Sequence, residues 1–336
     1  MQPSIQQTPS LYVIIAAYGE QNLPALIREL LQQLRLDGRV AARIVVVDNG
    51  AAQRPVQSIL PQEPWLVYFP MQTNVGVSAA WNIGLRFALA NGARFVLLAG
   101  SDTCPRPGTV SRLLNHAFAG VPFITGTQIA PGAYAEASGG KHLLAAPDFS
   151  FALFDLQVVT SKIAFWDWET AFQARLRHEV MASNLLTSGV DAWVPSGSID
   201  LPMNPAEWGL FDETFFPGYF EDNDLAARAK VAGILMLRDP DALFDHACSN
   251  TMHEFPEVAE LVKEWFPRNA ERFRQKWGGL PHELNLMHGR PTNVTDEQWE
   301  RMTGGMPVLE VDIDEARRAG ERVYAAYGIA TGQTDR

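Results

Sequence analysis

The sequence predicts an α/β fold: a doubly wound, mostly parallel sheet with helices on both faces, followed by a helical carboxy-terminal extension. Two observations predict it. Through residues 1–130, short β-branched apolar runs alternate with amphipathic helical stretches. The strand runs are apolar almost throughout instead of alternating, as strands buried on both faces are.

LYVIIAAY (11–18) opens as a strand, and LPALIRELLQQLRL (23–36) follows as an amphipathic helix. RIVVVD (43–48) and WLVYFP (65–70) are the second and third strands. VSAAWNIGLRFALANG (77–92) is a helix stopped by glycine, and RFVLLAG (94–100) a fourth strand. TVSRLLNHAFAG (109–120) is a helix, and VPFITGTQI (121–129) a fifth strand. The pattern then loosens into a turn-rich and strongly aromatic stretch that includes Trp166 and Trp168. Order returns with FEDNDLAARAKVAG and LMLRDPDALFDH. PEVAELVKEWF and RNAERFRQKW read as two helices parted at Pro267, because proline interrupts a helix interior. A last helix and a polar tail close the chain, and that helix could pair with a second copy.

Composition excludes several classes. With 47% hydrophobic and 19% charged residues the chain can bury an ordinary globular core. A net charge of -11 disfavours a general nucleic-acid binder, which needs a basic surface. Cys104 and Cys248 are the only cysteines, in no metal-ligand spacing, which favours a reducing cytoplasm over a disulfide framework. The start MQPSIQQTPS lacks the charge and apolar core of a signal peptide. No apolar run approaches the roughly 18 residues that span a bilayer. A soluble, cytoplasmic protein is expected, able to be peripheral to a membrane.

Ligands of such sheets sit beyond the carboxyl ends of the strands, where Asp48 and Asp102 fall. The first strand runs into AYGEQNLP, which has neither the G-x-G-x-x-G of a dinucleotide site nor a P-loop. It also lacks the glycine-rich, basic loop of a sugar-nucleotide pyrophosphorylase. Phosphates therefore call for another device, such as a divalent metal held by carboxylates.

The ordered series VIIAAYG, VVVDNG, NVGVSAAWNIGL, LLAGSDTCPRPG, GLFDETFFPGYFEDNDLAARAKVAG and FDHACSNT resembles the family 2 glycosyltransferases of GT-A fold, over about residues 11–280. RNAERFRQKWGGLP is similar to the K-W-G-G helical tail of one bacterial and phage branch. The resemblance implies a GT-A domain at 1–250, with a nucleotide-sugar half at 1–130 and an acceptor half at 131–250. A helical extension at 251–336 would follow. The implied activity is metal-dependent, inverting transfer from a UDP- or dTDP-sugar to a hydroxyl of a glycan or lipid-linked acceptor. Two alternatives stand beside it: a phage-type enzyme acting on hydroxymethylated pyrimidines in DNA, and a non-catalytic glycan- or nucleotide-binding module.

Residue by residue, the resemblance implies that Asp48 holds the nucleoside and that Asp102 and His246 hold Mn²⁺ or Mg²⁺. The family's first triplet acid is replaced here by Gly100. Asn74 and Gly76 precede a helix start suited to phosphate, although Asn74 and Ser78 also suit local capping and Trp81 suits the core. Asp48 equally suits an Asx turn into Asn49-Gly50. Three carboxylates crowd one segment: Glu221, Asp222 and Asp224. Asp224 with Arg228 makes an i, i+4 pair. Asp222 matches the family's general base, with Glu221 binding the acceptor or orienting the loop. Trp208 is an acceptor-site candidate through sugar–aromatic packing, against the commoner role of aromatics as core. Lys263, Arg268, Arg272, Arg274 and Lys276 could meet a phosphate-bearing acceptor, or form a solvated helix face.

Overall fold

The computed structural model describes residues 8–19, 22–129, 142–144, 149–163, 209–247, 251, 254–281, 284, 295–303 and 308–310. Trp166, Trp168, Trp208 and Cys248 lie outside the described residues. The expected alternation is present: β1 (Ser10–Ala17), α1 (Leu23–Asp37), β2 (Ala41–Asp48), β3 (Leu66–Pro70), α2 (Val77–Ala90), β4 (Phe95–Gly100), β5 (Thr103–Pro105), α3 (Thr109–Phe118) and β6 (Phe123–Ile129). Then come β7 (His142–Leu144), β8 (Phe151–Asp155), α4 (Leu156–Lys162), α5 (Glu221–Val231), β9 (Met236–His246), α6 (Pro256–Trp277), α7 (Asp296–Thr303) and β10 (Val308–Glu310).

One sheet runs in the order β10-β7-β9-β6-β8-β4-β1-β2-β3, with β5 pairing off the path to β9. The four strands β4, β1, β2 and β3 are parallel neighbours. Beyond them the sheet is mixed, because β8 enters antiparallel between β4 and β6. That strand comes from the aromatic stretch where the sequence pattern loosens. Among the described residues no helix is long and apolar enough to cross a membrane.

Side-chain alternation along β1 builds two cores. Tyr12 and Ile14 face α2 and α5, while Leu11, Val13 and Ile15 face α1 and α3. A third cluster joins α6, through Val258, Val262, Phe266, Ala270 and Phe273, to Phe215 and Phe220 just before α5.

One expectation is corrected here. Pro267 does not divide two helices: α6 is continuous from Pro256 to Trp277. Its apolar stripe passes straight through the proline, and Pro267 itself is on the exposed side. The missing N–H therefore falls where water can serve the orphaned carbonyl, and packing of the stripe outweighs the local defect.

Candidate active site

Parallel register brings the ends of β1, β2 and β4 to one edge, with Ala17 opposite Asp48 and Ala16 opposite Gly100. A cleft of about 650 Å³ opens there. Its walls come from the strand ends (Tyr18, Asn49), from Asn74 and Trp81, from Asp102 and His246, and from Glu221, Asp222 and Asn223. Val258, Val262 and Phe266 of α6 complete it, so the late helix is part of the cleft wall.

Asp102 and His246 are 144 positions apart in the chain and are brought together by the antiparallel pairing of β5 with the end of β9. Asp102 Oδ1 and His246 Nε2 are 3.3 Å apart, close enough to share one ion. An oxygen–nitrogen pair suits Mn²⁺ better than Mg²⁺. Among the described residues no third His, Cys, Asp or Glu completes a metal-binding group. Two such side chains fit an ion only where ligand or water oxygens would supply the rest of its coordination. Gly100 has a packing reason: a Cβ there would sit 3.0 Å from Asp102 Oδ1 and 3.2 Å from Thr103 Cγ2. An acid at 100 would crowd the carboxylate at 102.

Asp48 and Gly76 both make contacts within the chain. Asp48 is 0% exposed and does not line the cleft. Its oxygens accept hydrogen bonds from the Val56 N–H (2.9 Å), the Gly50 N–H (3.2 Å) and the Tyr68 hydroxyl (2.7 Å). Asp48 anchors the loop after β2, and its neighbour Asn49 reaches the cleft instead. Asn49 Nδ2 donates to Asn74 Oδ1 and its Oδ1 accepts from the Val75 N–H, which ties the end of β2 to the start of α2. The side chain next to a strand-end acid was the missed signal.

Gly76, at φ 84°, is approached by the chain itself and not left open to a ligand. A Cβ at 76 would meet Phe216 Cδ2 at 3.0 Å and the Pro217 carbonyl oxygen at 3.2 Å. The Gly76 N–H is taken by Asn74 Oδ1 and the Val77 N–H by the Pro217 carbonyl, so neither is spare for phosphate. Asn74 remains on the cleft wall.

The acid block starts α5. Tyr219 and Phe220 precede it in left-handed conformations, φ 68° and 75°, which side chains with a Cβ rarely adopt. Packing from α6 holds them: Phe266 lies 5.2 Å from both rings, centroid to centroid. Asn269 Nδ2 donates at 2.9 Å to the carbonyls of Phe216 and Gly218. Asp224 is fully buried and accepts from Arg228 Nε (2.9 Å), Trp277 Nε1 (2.9 Å) and Lys276 Nζ (2.6 Å). The i, i+4 pair with Arg228 is present, and the K-W of the tail grips the same carboxylate.

Glu221 is 6% exposed, and its Oε2 has no hydrogen-bond partner among the described residues. Burial, and then the charge of Asp222, push its carboxyl well above the ordinary glutamate range. Above the unfolded value near 4.3, the folded state keeps a proton that the unfolded state has released, so this group costs stability as pH rises. Glu221→Gln is expected to be more stable than wild type at pH 8, the gap closing towards pH 4. Urea denaturation at both pH values checks this; a wild type as stable as the variant at pH 8 contradicts it.

Trp81 packs against Phe211, ring centroids 4.9 Å apart, as its core reading expects. It also lines the cleft, with Nε1 buried and without a partner among the described residues. The late basic residues do not converge: Arg268 pairs with Glu264, Arg274 with Glu271 and Lys276 with Asp212, while Arg272 donates to the Thr214 carbonyl.

Residues 12–144 match the family model "Glycosyl transferase family 2". That part of the chain is thus similar to glycosyltransferases. Among solved structures, residues 1–349 of TarS from S. aureus align at 14% identity over 94% of this chain and 82% of that one, with a TM-score of 0.46. The same protein in complex with UDP-GlcNAc aligns at 15% identity over 51% of this chain, with a TM-score of 0.37. In that alignment the chain spans about half, 53%, of the TarS chain. No curated protein matches the chain in sequence comparison.

Proposed function

We propose that the protein transfers a sugar from a nucleoside-diphosphate sugar to an acceptor hydroxyl, with inversion at the anomeric carbon. One observation carries the reading: a single cleft gathers Asp222, the Asp102–His246 pair and the sheet's carboxyl edge, drawn from distant parts of the chain. The nucleoside lies towards Tyr18 and Asn49. Asp102 and His246 would hold Mn²⁺ or Mg²⁺, and an ion bound there supplies Lewis-acid stabilisation of charge on the departing diphosphate. Asp222 takes the proton of the acceptor hydroxyl as its oxygen attacks. Glu221, buried beside the base, helps to bind the acceptor or to orient the loop. The acceptor is a glycan or lipid-linked glycan. Dispersal of the late basic residues into local ion pairs counts against a DNA acceptor.

Thermal unfolding with UDP, dTDP, GDP or CDP, each with Mn²⁺, Mg²⁺ or EDTA, tests the donor site. At 100 times its dissociation constant a ligand of the folded state adds about 2.7 kcal/mol. The expected result is a metal-dependent rise in Tm with UDP or dTDP. No shift with any nucleotide would sink the catalytic reading and favour a non-nucleotide binding module.

A further inference from the structure

Asn223 follows Asp222 in the first turn of α5 and lines the same cleft. It delivers two hydrogen bonds to one oxygen: its backbone N–H donates to Asp222 Oδ1 at 2.7 Å, and its side-chain Nδ2 donates to the same atom at 2.6 Å. Any residue but proline can give the first bond. The second needs a short side chain ending in a donor, which asparagine has and alanine or aspartate lacks.

Helix capping does not account for this side chain. The N-cap of α5 is Phe220, which makes no side-chain cap bond, and the Asn223 amide turns to Asp222 instead of to an orphan helix N–H. Two donors on Oδ1 engage that oxygen and fix the plane of the carboxylate. The carboxylate lies next to Glu221, with Asp102 and His246 on the same cleft wall and Asp224 paired to Arg228 and Lys276. Without the side-chain donor it loses a bond that favours its ionised form and fixes its rotation.

We infer that Asn223 is the positioning residue of the base, holding the Asp222 carboxylate in one orientation for proton abstraction. This rests on the reading of Asp222 as that base. The test uses Asn223→Ala and the isosteric Asn223→Asp in the full chain. Release of nucleoside diphosphate from UDP-glucose, UDP-N-acetylglucosamine and dTDP-rhamnose, with water as acceptor, gives kcat and KM. A ¹³C NMR titration of the Asp222 carboxyl, assigned by its loss in Asp222→Asn, gives a readout independent of any substrate.

In Asn223→Ala, kcat is expected to fall roughly 10–100-fold, KM to stay within about twofold, and the Asp222 titration midpoint to rise. Asn223→Asp, which adds a charge and no donor, is expected to raise the midpoint further. An unchanged midpoint in both variants overturns the inference, whatever the kinetics. So does a change in KM alone, which would make Asn223 a substrate contact. If wild type releases diphosphate from none of the three donors, the catalytic reading is in question, while the midpoint still decides whether Asn223 governs the Asp222 carboxylate.

Discussion

Asp222→Asn is expected to lower the rate of sugar transfer by about 10²–10⁴-fold while leaving fold and nucleotide affinity close to wild type. Asp222 is half-buried on the cleft wall, at the start of a helix whose other acids are committed elsewhere. Asp224 is spent on Arg228, Lys276 and Trp277. Glu221 is buried, and burial pushes its carboxyl well above the ordinary range. That leaves Asp222 as the acid of the block suited to accept a proton in the transition state. An amide oxygen at the same place still accepts from the Asn223 N–H and Nδ2, so the local geometry survives the substitution. What is lost is basicity alone. Transfer kinetics with and without the variant, alongside thermal shifts with nucleotide, separate the two effects. A variant with wild-type kcat removes Asp222 from the chemistry; one that neither folds nor binds nucleotide makes it structural.

What the sequence made legible was whatever depends on local pattern. Buried strands declare themselves as apolar runs, and β1, β2, β3, β4 and β6 fall within two residues of the expected spans. The acid block stood out because three like charges in one helical turn need a reason. The meeting of Asp102 with His246 was legible only through the resemblance, since it depends on β5 pairing with a strand far along the chain. The contacts that local pattern did not announce share one cause, partners distant in sequence. Asp48 is buried by Val56 and Tyr68, which no motif around VVVD announces. Gly76 makes room for Phe216 and Pro217, a loop some 140 positions later. Pro267 is overruled by a stripe of side chains that needs the 215–220 loop to pack against. In β8, residues between two buried strands appear merely aromatic, because both faces are covered.

Asp224→Ala is expected to destabilise the fold by about 3–5 kcal/mol, the larger structural effect of the acid block. Its carboxylate is fully buried between α5 and the end of α6, where it meets a guanidinium, an ammonium and an indole N–H. Removing it leaves the Arg228 guanidinium and the Trp277 N–H short of an acceptor, although the more exposed Lys276 can turn to water. A largely buried, uncompensated charge is costlier than the pair was worth. Lys276 retains Asp212 at 3.0 Å, which limits the loss, while the Trp277 N–H loses this bond. Asp224→Asn keeps the volume and one acceptor oxygen, so it should cost roughly half as much. The consequence reaches the cleft through α6. Phe266 and Asn269 hold the 216–220 backbone, and their helix is tethered at its far end by this carboxylate. Loosening the tether should therefore lower kcat at temperatures where the chain is still folded, with urea midpoints reporting the stability and rates reporting the loop. An Asp224→Ala protein as stable as wild type would mean that the K-W tail does not secure the catalytic segment, and that α6 docks through its apolar stripe alone.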